Sequence, residues 1–255
     1  LSFPSSDQLI ASGFNRLHLI IDVGTALPEE SFFKNVTDRV TAVGTAFMGL
    51  TVQCAACHDH KYDPITQKDY YSLFAFFNNI DAKPETERGL KNGLQPPVAR
   101  IPTADQKQKL QDFGQQISEL DEKIKVEGTS EDEVTELQSR LESLKNEKKK
   151  LEGLIPQAMV MKERAEVRET RIMIRGQYDD PGELVTRSTP GFLPPMKHSE
   201  EVASRMDLAN WFIDKSNPLT ARVVVNRLWQ QLFGVGLVKT SEDLGAQGEV
   251  PSHPE

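Results

Sequence analysis

Two cysteines are all this 255-residue chain contains, and both fall in one pentapeptide, Cys54-Ala55-Ala56-Cys57-His58. Cysteines concentrated in this way form a local motif, not a framework of bridges. Thiols three positions apart lie on one side of a helical turn, and the histidine that follows extends beneath that side. Given two cysteines and five histidines, the pattern arises by chance in about 3 of 10,000 such chains.

The spacing is that of covalent haem c attachment. Each thiol can add to one vinyl group on the same porphyrin edge, and the adjacent imidazole can bind iron from one face. Cys54, Cys57 and His58 are therefore the candidate cofactor-binding residues, with His58 as an iron ligand. Two other readings use the same residues. A redox disulfide is one, although no strand and helix of a thioredoxin-like fold precede the motif. A non-haem metal site is the other, since His60 and Asp63 follow and bring the candidate ligands to five within ten residues. For a sixth iron ligand, His18 is the first candidate, because it lies on an independent loop and can approach from the far face. His60 is the second, although only two residues separate it from His58. Met159, Met161 and Met196 are further possibilities, and each also reads as a gap-filler in the core.

Around the motif the chain divides into four stretches. Residues 1–83 predict a short helix over 8–15 capped by Asp7. A longer helix then starts at Pro28, with Glu29 and Glu30 near the positive end of its dipole. Its apolar residues Phe33, Val36, Val40, Val43 and Phe47 repeat at helical spacing toward Leu50. A third helix, from Thr66 or Gln67 to Asn78, carries aromatic residues on nearly every face, which marks it as buried or wrapped around something large and flat. Residues 84–103, rich in proline and glycine, read as a linker. Residues 104–155 carry apolar heptads broken at Gly128, with Ser130 and Glu133 as a capping box. They predict an antiparallel coiled-coil hairpin, either a spacer or a partner-binding arm. Residues 157–255 predict short strands over 158–161 and 170–178, a turn at Asp179-Asp180-Pro181-Gly182, and helices over 200–214 and 219–233. The fold class is mainly α, with a helical haem-c-like unit, the hairpin, a small β-containing segment and C-terminal helices.

Thirty basic against thirty-eight acidic residues give a net charge of −8, which argues against a nucleic-acid partner. No stretch approaches the ~18 apolar residues of a spanning helix. The chain opens without methionine and reads as an excerpt of a longer protein.

Three further patterns have structural readings. Gly234-Val235-Gly236 reads as a helix C-cap, not a nucleotide loop. Asn226, Arg227 and Trp229 share a helix with Arg222, which predicts Trp229 packed inward and Arg222 paired with a carboxylate. Asn35-Val36-Thr37 is a glycosylation sequon inside a predicted helix. No serine elbow, paired-carboxylate site or zinc-protease helix is visible, so no catalytic residue is assigned.

Residues 40–80, VTAVGTAFMGLTVQCAACHDHKYDPITQKDYYSLFAFFNNI, resemble the planctomycete cytochrome C type domain. The preceding GFNRLHLIIDVGTALPEE is similar to that domain's upstream segment, apart from Ile20 to Gly24, where acidic and glycine residues are usual. The stretch ARVVVNRLWQQLFGVGLVKTSEDLGAQGEVPSHPE resembles the start of the domain of unknown function that habitually follows it. The resemblance implies attachment through Cys54, Cys57 and His58. It aligns Asp59, His60, Lys61, Asp63 and Pro64 with the extension after the motif, and Asn15, Arg16 and His18 with the upstream loop. It also implies an exported multidomain bacterial protein. The expected function is electron transfer through covalent haem c, to or from a redox partner protein or an attached domain. The alternative is a cell-surface scaffold with a structural metal or disulfide site at the Cys-His cluster.

Overall fold

A computed structural model describes residues 5–18, 27–82, 93–125, 131–198 and 200–254. In chain order the helices are α1 (Ser6–Ser12), α2 (Pro28–Val43), α3 (Gln67–Asn78), α4 (Ala104–Ile124), α5 (Glu131–Leu154), α6 (Arg205–Ile213) and α7 (Leu219–Phe233). The strands are β1 (Val98–Arg100), β2 (Gln157–Met159), β3 (Thr170–Met173) and β4 (Pro181–Val185). The described residues are thus mainly helical, as expected. Two compact units divide them, one of residues Leu1–Gly13 with Val98–Val160, the other of Phe14–Pro97 with Met161–Glu255.

In the first unit, α4 and α5 pack against each other, with Leu120 and Leu141 as their buried positions. Strands β1 and β2 pair antiparallel at their base, Val98 opposite Met159 and Arg100 opposite Gln157. The amide of Ile101 donates to the Pro156 carbonyl at 2.8 Å, and Arg100 pairs with Glu152 at 3.0 Å. Composition gave no sign of β1, which ends a proline-rich stretch. The predicted break at Gly128 and the cap at Ser130 lie outside the described residues. Helix α1 begins earlier than predicted because Ser5, not Asp7, is its cap. The Ser5 hydroxyl accepts from the Gln8 amide, and the Gln8 side chain returns the bond.

The second unit holds the larger core. Helix α2 starts at Pro28 as predicted but does not run to Leu50. It ends at Val43 and continues as a π turn, Gly44–Met48, closed by Gly49 at φ 62°. A Cβ on Gly49 would lie 2.8 Å from Val223 and 3.0 Å from Leu244, so the left-handed bend and the close packing both require glycine there. Helix α3 matches the predicted span. Thr66 caps it and Asp69 completes the box, and Tyr70, Tyr71, Phe74, Phe76 and Phe77 are all buried. Each such side chain contributes on the order of 1.5–3 kcal/mol on leaving water. Helix α2, strand β3 and the turn Val52–Ala56 pack around α3, which accounts for its aromatic surface.

Strands β3 and β4 form an antiparallel hairpin, with Thr170 opposite Val185. The predicted strand over 170–178 stops at Met173 because the chain bends at Ile174–Gly176. Helix α6 begins at Arg205 instead of residue 200, where Ser204 and Asp207 form a capping box. Helix α7 has its predicted bounds and ends at Gly234, φ 84°. Among the described residues, no helix is long and apolar enough to cross a membrane.

Candidate functional site

The motif lies on a tight helical turn, Val52–Ala56, that buries Val52, Ala55 and Ala56 and leaves Cys54 and Cys57 as exposed free thiols. Apolar side chains hold the turn to the core from behind. Two donors from α3 fix its end. The Tyr71 phenol donates to the Ala56 carbonyl at 3.0 Å, and the Gln67 side-chain amide donates to the same oxygen at 3.1 Å. Gln67 also donates to the Met173 carbonyl at 3.1 Å, so one amide joins the motif turn to the β3–β4 hairpin. Burial pushes the phenols of Tyr70 and Tyr71 well above their ordinary range, and the nearby Cys57 adds to both shifts. Tyr71 therefore stays a donor at any ordinary pH.

His58 is exposed, and its Nδ1 lies 2.7 Å from the Asp59 carbonyl. A carbonyl only accepts, so this contact assigns a proton to Nδ1 and leaves Nε2 of the exposed ring outside that hydrogen bond. A histidine that donates one ring N–H to a backbone carbonyl is oriented for metal ligation through the other nitrogen. The Asp59 carboxylate in turn accepts from the Gln67 amide at 2.7 Å, tying the loop to the start of α3.

His60 is a different kind of residue. It is buried, its Nδ1 accepts the Asp63 amide at 2.9 Å, and its Nε2 lies 3.3 Å from the Thr51 hydroxyl. The Asp63 carboxylate is also 3.5 Å from Nδ1, an ion-pair distance. The shorter amide contact decides the matter, because an Nδ1 that accepts carries no proton. Both ring nitrogens are then engaged in holding the loop. Asp63 points to the C-terminal segment, where its Oδ1 accepts the Ala246 amide at 2.7 Å. Among the described residues, no group of three or more His, Cys, Asp or Glu is arranged to hold a metal ion.

His18 is buried just after the short turn Gly13–Arg16. Its neighbour Arg16, also buried, donates to the carbonyls of Gln95 at 3.1 Å and Pro96 at 3.3 Å, and Arg39 donates to the Asn15 carbonyl at 2.7 Å. Met161 and Met196 pack at the edge of the core, and Met159 lies in β2. The structure joins Cys54, Cys57 and His58 on one exposed turn, places His60 in the buried base of the loop, and carries His18 on a separate segment. Asn35 of the sequon is buried in α2 and is no accessible acceptor.

Helix α7 corrects an expectation. Its inward face is Val223, Asn226 and Arg227, while Trp229 sits at the outer edge and meets the Phe233 ring in a tilted contact, centroids 4.3 Å apart. Asn226 exchanges two hydrogen bonds with the Val238 backbone, at 2.9 and 2.8 Å. Arg222 is exposed, and the anchored cation is Arg227, which donates to carbonyls of the π turn. Of the residues that support the site, Gln67, Tyr71 and Arg227 act across long sequence separations, and no local pattern marks the first two.

Residues 1–82 match the family model PSCyt2, a protein of unknown function (DUF1549). Residues 204–255 match PSD1, a protein of unknown function (DUF1553). The two are the domain pair that the sequence resemblance suggested, and residues 83–203 fall outside both. No curated protein and no solved structure matches the chain.

Proposed function

We propose that this chain is a c-type haem module of an exported multidomain bacterial protein, which passes electrons to or from a redox partner or an attached domain. The observation that carries the reading is the state of His58. Its Nδ1 is spent on the Asp59 carbonyl and its Nε2 is open, directly beside two exposed free thiols. That donor set fits covalent haem. Cys54 and Cys57 would hold the group by thioether bonds, and His58 would be the proximal ligand. When bound, haem supplies a one-electron iron couple. This chain's own residues orient the imidazole through Asp59, pin the turn through Tyr71 and Gln67, and back it with the buried aromatics Tyr70, Phe74 and Phe77, which lower the local dielectric.

The cytochrome-like name of the model matched by residues 1–82 agrees with this reading. Export follows from the haem c motif and the family resemblance. His18 remains the candidate distal ligand, because both ring nitrogens of His60 are engaged. The α4–α5 pair serves as an antiparallel spacer, and the β1–β2 pairing at its base supports that role. The test is the absorbance spectrum of the chain matured in a host with cytochrome c machinery. The native protein should show a low-spin Soret spectrum and His58→Ala should lose it. A low-spin spectrum that persists in His58→Ala removes the proximal assignment.

A further inference from the structure

We infer that Gly176, at the bend of the β3–β4 hairpin, is a positioning residue for covalent attachment at Cys57. The inference rests on the haem c reading above and adds a part of the chain outside both matched segments. Gly176 has φ 73°, and a Cβ built there would lie 2.6 Å from the Cys57 sulfur and 3.3 Å from the Ala56 carbonyl oxygen. The sulfur occupies the space that any side chain at 176 would take. No atom of Cys54 lies as near, so the contact singles out one of the two thiols.

The bend that delivers Gly176 is held in place. Arg175 precedes it at φ 54°, ψ 24°, and the Gln177 amide donates to the Ile174 carbonyl at 3.1 Å. Two successive left-handed residues closed by that bond make a turn of type I′ kind within the hairpin loop, a position where Asn or Gly is the ordinary first residue. Arginine is an uncommon occupant of that left-handed position. The Gln67 amide bridges the Ala56 and Met173 carbonyls and locks the hairpin to the motif turn. Backbone pressed on one side of the Cys57 sulfur restricts the directions in which its thiol can point.

Attachment is an addition. The sulfur bonds to the inner carbon of a vinyl group, the double bond becomes single, and the thiol hydrogen ends on the terminal carbon. No oxidant or reductant is consumed. The step requires the sulfur at the vinyl carbon, so displacing it by the width of a methyl group blocks the bond at Cys57 and leaves the bond at Cys54.

The test compares Gly176→Asn with Gly234→Asn in the full chain, matured with haem. Asparagine tolerates left-handed backbone, so Gly176→Asn adds the Cβ contact with little strain. Gly234, at φ 84° with nothing within 4 Å of its Cβ position, controls for the backbone alone. Gly176→Asn should carry haem through Cys54 only, with one alkylatable thiol per haem and a pyridine-haemochrome band moved to that of singly attached haem. Gly234→Asn should keep both bonds. Two intact thioethers in Gly176→Asn overturn the inference. Wild-type chain matured without haem overturns the underlying reading instead. A second measurement needs neither variant nor haem. In the apo wild-type chain, Cys57 should react with iodoacetamide several-fold more slowly than Cys54, and equal rates overturn the positioning role.

Discussion

The Arg227 guanidinium donates to the main-chain carbonyls of Thr45 at 2.8 Å and Ala46 at 3.3 Å, across more than 180 residues of sequence. The π turn at the end of α2 leaves those oxygens without helical partners, and α7 supplies the donors. Beside this contact, the Leu244 amide donates to the Gly49 carbonyl at 2.7 Å, and Asp63 accepts from Ala246. The C-terminal segment is thus latched to the stretch that leads into the Cys-His turn.

Replacing Arg227 by methionine keeps the aliphatic stem and removes both bonds. Hydrogen bonds to charged groups contribute about 1.5–3 kcal/mol each, and the pair shares one cation, so a loss of about 2–3 kcal/mol is expected. The urea midpoint should fall with an unchanged slope. Arg227→Lys should recover part of the loss. A midpoint equal to wild type in Arg227→Met contradicts the latch.

Tyr71 and Gln67 share the Ala56 carbonyl. Tyr71→Phe alone should cost about 1 kcal/mol, because Gln67 still satisfies the acceptor. Tyr71→Phe with Gln67→Leu leaves a buried carbonyl unpaired, and the double variant should lose more than the sum of the singles. A double-mutant cycle in denaturant measures the excess, which strict additivity excludes.

Tyr70 and Tyr71 link stability to high pH. Burial raises their folded-state pKa above the ordinary value of 10, so the folded state holds protons that the unfolded chain releases. Their contribution is complete below about pH 10 and shrinks as the pH rises further. Phenolate absorbance from these two residues should appear only together with alkaline loss of circular dichroism. All four tyrosines titrating while the fold persists is the opposite result.

His60 and His58 should separate cleanly. His60→Ala removes an acceptor for the Asp63 amide and a partner for Thr51, at a cost of about 1–3 kcal/mol. Its melting temperature should fall while the haem spectrum keeps the shape of the wild type. A changed spin state at an unchanged melting temperature makes His60 an iron ligand.

What the sequence disclosed was local. The proline start of α2, the span of α3 and the whole span of α7 follow from residues that satisfy their own neighbours, and all were legible, whereas the capping role of Thr66 was not assigned. That Cys54 and Cys57 share one helical turn was legible from their spacing, whereas the exposure of that turn was not. The early end of α2 was not, because Gly44 is chosen by its approach to Val52, which a linear pattern does not display. Trp229 misled because hydrophobicity alone favours burial, whereas the space under α7 is taken by Val223 and by Asn226 bonded to Val238. Gly176 and Gln67 act across distances that spacing does not encode.

The central claim is covalent haem on Cys54 and Cys57, and the most direct measurement is the intact mass and pyridine-haemochrome spectrum of the purified chain after maturation. The account predicts one haem per chain through two thioether bonds, with one bond remaining in each of Cys54→Ser and Cys57→Ser. Protein that emerges from the same host with two titratable thiols and no haem, or with stoichiometric zinc in its place, contradicts it.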